Sequence, residues 1–138
     1  MPKHDPTNSE SFGTRLQRAC EGLNFVSETD SEVVPVFGGE PRSNSISDVL
    51  AAVGVSPSKH VTLVDPEQLF SRLTTKKEWF SEGQRANAAS FKALKVLLDE
   101  ELDQLKVFKV GKIRVTIYVL GSDREGKIVG VKMKAVET

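Results

Sequence analysis

Two histidines and one cysteine are the side chains of this 138-residue sequence best suited to base or nucleophile work near neutral pH. Hydrolysis and group transfer need such a base beside a nucleophile or a metal. Neither His4 nor His60 has a partner at motif spacing. His4 falls in a polar stretch with Pro2 and Pro6, and His60 opens a strand-like run. Cys20 shares a helical stripe with Phe12 and Leu16, which makes it a small core residue rather than a nucleophile. Gly38-Gly39 lacks the lysine and helix start of a phosphate-cradling loop. Glu28-Thr29-Asp30-Ser31-Glu32 alternates carboxylates as some calcium loops do, but without their glycine and distant bidentate glutamate. The sequence therefore predicts no catalytic centre, no cofactor and no metal site of its own.

Other groups suit contact with a partner. Between Ala19 and Pro41 lie Glu21, Glu28, Asp30, Glu32 and Glu40 without one base. Such a segment is most simply a solvated loop, and as a surface it favours a basic partner. Trp79, the only tryptophan, sits with Phe80 in a polar connection, off any core stripe. A large aromatic on a rim is a common interface anchor, and the structural alternative is a staple between helix and sheet. At the other end the last strand-like run reaches Val136, leaving Glu137 and Thr138. A hydroxyl, a side-chain carboxylate and the α-carboxylate there would suit a divalent cation or an arginine.

The elements that must position these groups follow from periodicity. Residues 1–10 are polar and form a flexible tail, and residues 11–138 form one domain. A helix from Phe12 ends at Gly22, and Val33 to Phe37 is a strand whose Pro35 argues for a sheet edge or a bulge. A short helix capped by Ser45 ends at Gly54, and His60 to Val64 is a strand. Asp65-Pro66-Glu67 starts a helix running to about Leu73. Thr75 and Glu78 fit a capping box. Phe91, Leu94, Leu98, Leu102 and Leu105 predict one long helix from about Glu82 to Leu105. Three strands close the chain, the first two joined by a two-residue turn at Gly111-Lys112. The order α-β-α-β-α-α-β-β-β predicts an α+β domain with helices packed on a mostly antiparallel or mixed sheet.

Composition sets the outer limits. With 38% apolar and 28% charged residues the chain reads as a soluble globular protein. No run approaches the roughly 18 apolar residues of a membrane span, and one cysteine excludes an intrachain disulfide, so the expected compartment is the cytoplasm. The 19 basic and 19 acidic side chains cancel, yet residues 1–69 carry 10 acids and 5 bases while residues 70–138 carry 9 and 14.

With these residues in view, the sequence resembles the nuclease A inhibitor family, small intracellular proteins that block a sugar-non-specific DNA/RNA endonuclease of the ββα-metal class. The resemblance runs from about Leu16 to Thr138. It is densest at Cys20-Glu21-Gly22-Leu23-Asn24-Phe25-Val26-Ser27-Glu28 and at Leu69-Phe70-Ser71-Arg72-Leu73-Thr74-Thr75 with Glu78-Trp79-Phe80. Ile117-Tyr118-Val119-Leu120-Gly121 and the terminal Val136-Glu137-Thr138 complete it. It implies a three-layer α/β/α sandwich similar to the plant pathogenesis-related (CAP-type) fold. It also implies a mechanism, in which Thr138 meets the Mg²⁺ held by the nuclease, Glu28 is the acidic contact and Trp79 the aromatic one. Glu137 belongs with this partner-binding set. The implied state is a monomer that forms a 1:1 complex, with no membrane and no direct nucleic-acid contact. Lys76-Lys77 and the mild Ser81 to Arg85 stretch depart from the acidity that family members show after the tryptophan. An adaptor that reuses the scaffold for a partner other than a nuclease is the alternative. Direct nucleic-acid binding through Arg114, Lys127, Lys132 and Lys134 is a weaker one, because no aromatic lies among them.

Overall fold

The computed structural model describes residues 11–26, 30–56 and 60–137. It is an α+β fold of helices on antiparallel sheets. The elements are α1 (Phe12–Cys20), β1 (Asn24–Val26), β2 (Asp30–Glu32), β3 (Val34–Phe37), α2 (Ile46–Ala51), β4 (Val61–Val64), α3 (Pro66–Thr74), α4 (Glu82–Glu101), β5 (Asp103–Val110), β6 (Arg114–Ser122) and β7 (Ile128–Val136). Five strands form one sheet in the order β3-β7-β6-β5-β4, every neighbouring pair antiparallel, and β1 and β2 form a separate hairpin. Pro35 lies in β3, an edge strand, where a missing N–H is tolerated.

Capping chemistry fixes the helix starts. The Ser45 hydroxyl accepts from the Asp48 N–H at 3.2 Å, and Asp65 Oδ1 accepts from the Glu67 N–H at 3.0 Å ahead of Pro66. The capping box, however, belongs to Ser81 and Gln84, not to Thr75 and Glu78. The Ser81 side chain accepts from the Gln84 N–H, and the Gln84 amide oxygen accepts from the Ser81 N–H at 2.8 Å. Thr75 faces backwards, donating its hydroxyl to the Ser71 carbonyl as α3 ends.

Three further expectations change. The long helix stops at Glu101, because Leu102 is already extended and Gln104 takes a positive φ of 55°. Asp103 then pairs with Ser122, and a bulge between Asp103 and Lys106 sets the register. Leu102 and Leu105 therefore reach the core as a helix cap and a strand residue, and their 3-residue step is not helical. The β5–β6 connection is also longer than two residues. Val110 pairs with Thr116, and Gly111 turns at φ 114° with its N–H donating to the His60 carbonyl at 2.8 Å. Finally, the element order gains β1 and β2. They are short and polar, and tertiary bonds hold them: Asn87 on α4 bonds the Asn24 N–H and carbonyl at 3.1 and 2.9 Å, and the Ser31 hydroxyl accepts from the Lys134 N–H at 2.9 Å.

Hydrophobic side chains leave the large sheet on both faces. Val107, Val115, Ile117, Val119, Val131 and Met133 point to α1, α3 and α4, where Leu16, Leu69, Phe70, Phe91, Leu94 and Leu98 complete the larger core. Phe108, Val110, Leu120 and Ile128 point the other way, to Leu50 of α2 and Val55. Cys20 is buried in the larger core, as its place on the stripe predicts. Polar clips join the helices over that core. Lys95 of α4 bonds Glu67 of α3 at 2.9 Å and Asp99 at 2.6 Å, and lies 5.7 Å from the Phe70 ring centre. Burial alone pulls the Lys95 pKa down, but the hydrogen bonds and charges of Asp99 and Glu67 outweigh it and the net shift is upward.

Gly130 sets how closely the central strands approach. It pairs with Leu120 on one side and Val36 on the other, and a Cβ there would stand 1.8 Å from the Val119 carbonyl oxygen. Gly130→Ala must push the β6–β7 ladder apart. Urea titration is expected to show a loss of about 3 kcal/mol, the upper end for overpacking. A variant as stable as the parent would contradict this packing.

Candidate functional site

Glu137 lies at one end of the large sheet, where β5 ends and β6 begins beside the end of β7. Arg114 pairs with Val136, and one residue further the Glu137 N–H donates to the Ile113 carbonyl at 2.8 Å. The Glu137 carboxylate lies 2.5 Å from Lys109 Nζ. Thr138, proposed on sequence to meet a metal, lies outside the described residues.

A cleft of about 270 Å³ opens where Glu137 leaves the sheet. Leu69 and Arg72 of α3 line it on one side, Ile117 and Ala135 form its floor, and Phe25 of β1 closes it. Phe25 is 3% exposed, whereas the next residue, Val26, is 63% exposed. The hairpin that carries the acidic segment thus reaches the cleft of Glu137, with Asp30 and Glu32 on its exposed returning strand. Glu28, between Val26 and Asp30 in the chain, lies outside the described residues.

Trp79 is 72% exposed, so it is no staple between helix and sheet. Its ring meets Phe80 edge-on at 4.9 Å and 87°, and the connection is pinned by the Phe80 N–H to Lys77 carbonyl bond and by Arg85 donating to the Glu78 carbonyl at 3.3 Å. The indole does not line the Glu137 cleft. The link between the two regions is α4 itself, whose Asn87 holds the first residue of β1. The structure brings Glu137 and Phe25 of the acidic hairpin to one cleft and leaves Trp79 projecting from the connection between α3 and α4.

Two cleft residues carried no sequence signal strong enough to single them out. Arg72 is one of many surface arginines. Lys109 offered a clue: in Val107-Phe108-Lys109-Val110 the alternation puts it on the same face as Val107, toward the larger core. A lysine at a core-facing position needs a partner, and Glu137 is that partner.

The cationic hairpin face is smaller than the sequence suggested. Arg114, Lys132 and Lys134 stand on one face of β6 and β7, but Lys127 lies in the turn before β7 and pairs with Glu125 at 3.2 Å. Tyr118 pairs directly with Lys132, so that face does carry an aromatic ring. Glu32 shares the groove with Lys132 and Lys134. Among the described residues no three of His, Cys, Asp and Glu group closely enough to hold a metal ion, and His60 is exposed. No helix of the described residues is long and apolar enough to cross a membrane.

An anchored carboxylate and Phe25 of the acidic hairpin meet at one cleft of this α+β scaffold, and an exposed indole projects from the connection between α3 and α4. A family model for nuclease A inhibitor-like proteins matches residues 10–138, nearly the whole chain, and the chain belongs to that family. Membership suggests an inhibitor-like role toward a nuclease. No curated protein matches the sequence.

Two measurements check the surface and core assignments. Trp79→Ala should leave urea stability within about 0.5 kcal/mol of the parent, since an exposed side chain away from the core contributes little. A larger loss would mean that the indole is packed. Burial pushes the Cys20 thiol from its ordinary 9.0 up to about 11. The neutral thiol is favoured in the fold, so this contribution is complete below pH 9 and is lost between pH 9 and 11 as the unfolded chain ionises first. The parent should lose on the order of 2 kcal/mol more than Cys20→Ala across that window. Equal pH slopes would place the thiol in water.

Proposed function

We propose that this chain blocks the active site of a metal-dependent, sugar-non-specific DNA/RNA endonuclease of the ββα-metal class. In this reading the protein acts as a cytoplasmic monomer that forms a 1:1 complex. It has no cofactor of its own, and Thr138 reaches the Mg²⁺ that the nuclease holds. A nuclease cleft is built for phosphate and presents cations and a metal. Oxygen donors at the end of the chain can occupy the positions of phosphate oxygens and of missing metal ligands. Glu28 and the exposed Asp30 and Glu32 would face the basic rim, and Trp79 would bury apolar area against it.

The observation that carries the proposal, beside family membership, is the anchoring of Glu137. Beyond the last pair of the ladder this residue is bonded through its backbone to Ile113 and through its carboxylate to Lys109. An anchored Glu137 presents the residue that follows it at low entropic cost. The two cores on opposite faces of the sheet support the finer reading of the fold as a three-layer α/β/α sandwich similar to the pathogenesis-related (CAP-type) fold. Exposed Lys76 and Lys77 beside Trp79 favour the competing reading, an adaptor for another partner, because like charge opposes docking on a basic cleft.

The test is a nuclease assay against a panel of ββα-metal endonucleases at varied Mg²⁺. The parent chain should inhibit at least one of them. Deleting Thr138, or adding one residue after it, should abolish inhibition while leaving the circular dichroism spectrum unchanged. An extended chain that inhibits as well as the parent removes the terminal mechanism. A parent that inhibits none supports the adaptor.

A further inference from the structure

We propose that Lys109 is a positioning residue for Glu137: it holds the Glu137 carboxylate at the cleft and so fixes the orientation of that residue where it leaves β7. The functional meaning of this inference rests on the inhibitor reading above, while its physical content belongs to the free protein.

The β6–β7 ladder ends at the pair Arg114–Val136. Beyond it the backbone has one bond, from the Glu137 N–H to Ile113, which sits in the connection before β6 and is 64% exposed. One such bond locates the Glu137 nitrogen and leaves the rest of the residue free to turn. The second tether comes from elsewhere. Lys109 lies on β5, opposite Ile117 of β6, which is in turn opposite Met133 of β7. The lysine and glutamate side chains together therefore bridge β5 and the end of β7 across β6, on the helix-facing side of the sheet. The backbone bond runs in the plane of the sheet and the ion pair stands above it. Together they define the orientation of the residue.

The lysine is suited to this task by its place. Its apolar stem lies in the cleft with Leu69 and Ile117, and its side chain is 26% exposed, against 42% for Glu137. Arg72 lines the same cleft and makes no ion pair among the described residues. The cleft thus holds two cations around one carboxylate, which keeps Glu137 facing inward while Lys109 bonds it. Partial removal of water strengthens that attraction.

The test measures backbone amide exchange and ¹⁵N relaxation at residues 137 and 138 of the uncomplexed protein. Lys109→Met keeps the apolar stem and removes the charge, Glu137→Gln removes the partner, and Lys109→Arg restores a cation. Exchange at Glu137 should quicken roughly fivefold in Lys109→Met and in Glu137→Gln, the size expected of a half-exposed pair. The double variant should be no faster than either single one, and Lys109→Arg should return close to the parent. Raising NaCl to about 0.5 M should loosen the end in the parent but not in Lys109→Met. Exchange unchanged in Lys109→Met would overturn the proposal. Against a nuclease that the parent inhibits, Lys109→Met should lose roughly fivefold in potency. Full potency with a loosened end would overturn the positioning role and leave the inhibitor reading standing. If the parent inhibits no nuclease, that reading falls, and the exchange data alone decide whether Lys109 orients the end.

Discussion

The β6–β7 ladder is the constraint on which the other elements depend. It runs through nine consecutive residue pairs, from Arg114–Val136 to Ser122–Ile128, and it is the longest uninterrupted pairing in the fold. β5 attaches to one side of it and β3 to the other. The close approach at Gly130 lets the two strands run without a bulge, whereas β5 needs one to keep register with β6. Because Glu137 follows directly on β7, the ladder also decides where that residue stands. The position of Glu137 is thus a property of the sheet core, although the residue itself stands at the surface.

The helices serve this sheet unequally. α1, α3 and α4 share the larger core on one face, and α2 covers part of the other with six residues. Ion pairs appear where helices must keep a fixed relation: Arg15 of α1 to Glu101 of α4 at 2.9 Å, and Lys95 of α4 to Glu67 of α3. These contacts are partly exposed and contribute little to stability individually. Their effect is directional. They tie α1 and α3 to α4 across the larger core.

Much of this was legible in the sequence wherever the signal was local. Ser45, Asp65-Pro66 and Gly22 marked helix ends because caps act within a few residues, and Pro35 marked an edge or a bulge, of which the structure shows the edge, because proline lacks a donor. The alternation of Val129, Val131, Met133 and Ala135 fixed the core-facing side of β7. What escaped was set by distant partners. Leu102 and Leu105 continued a helical spacing, but the pairing of Asp103 with Ser122 outweighed another helical turn. β1 and β2 are three residues each and polar, and they persist through Asn87 and the Lys134 backbone, contacts separated by 63 and 103 residues. At the candidate site the sequence named Glu137 and Trp79 by type and exposure. It did not name Lys109, whose role requires knowing that β5 and the end of β7 share a face.

The two borders of the large sheet differ in a way that bears on self-association. β3 carries Pro35, which has no N–H to offer an incoming strand, while β4 at the opposite border has Val61, Thr62, Leu63 and Val64, with no proline or charge and Leu63 more than half exposed. Strand addition from a neighbouring molecule is therefore open on the β4 side and obstructed on the β3 side. Two molecules meeting border to border would use up the receptive strand of each and leave only blocked ones outward. Stacking of this kind terminates at a pair and cannot propagate into a fibre.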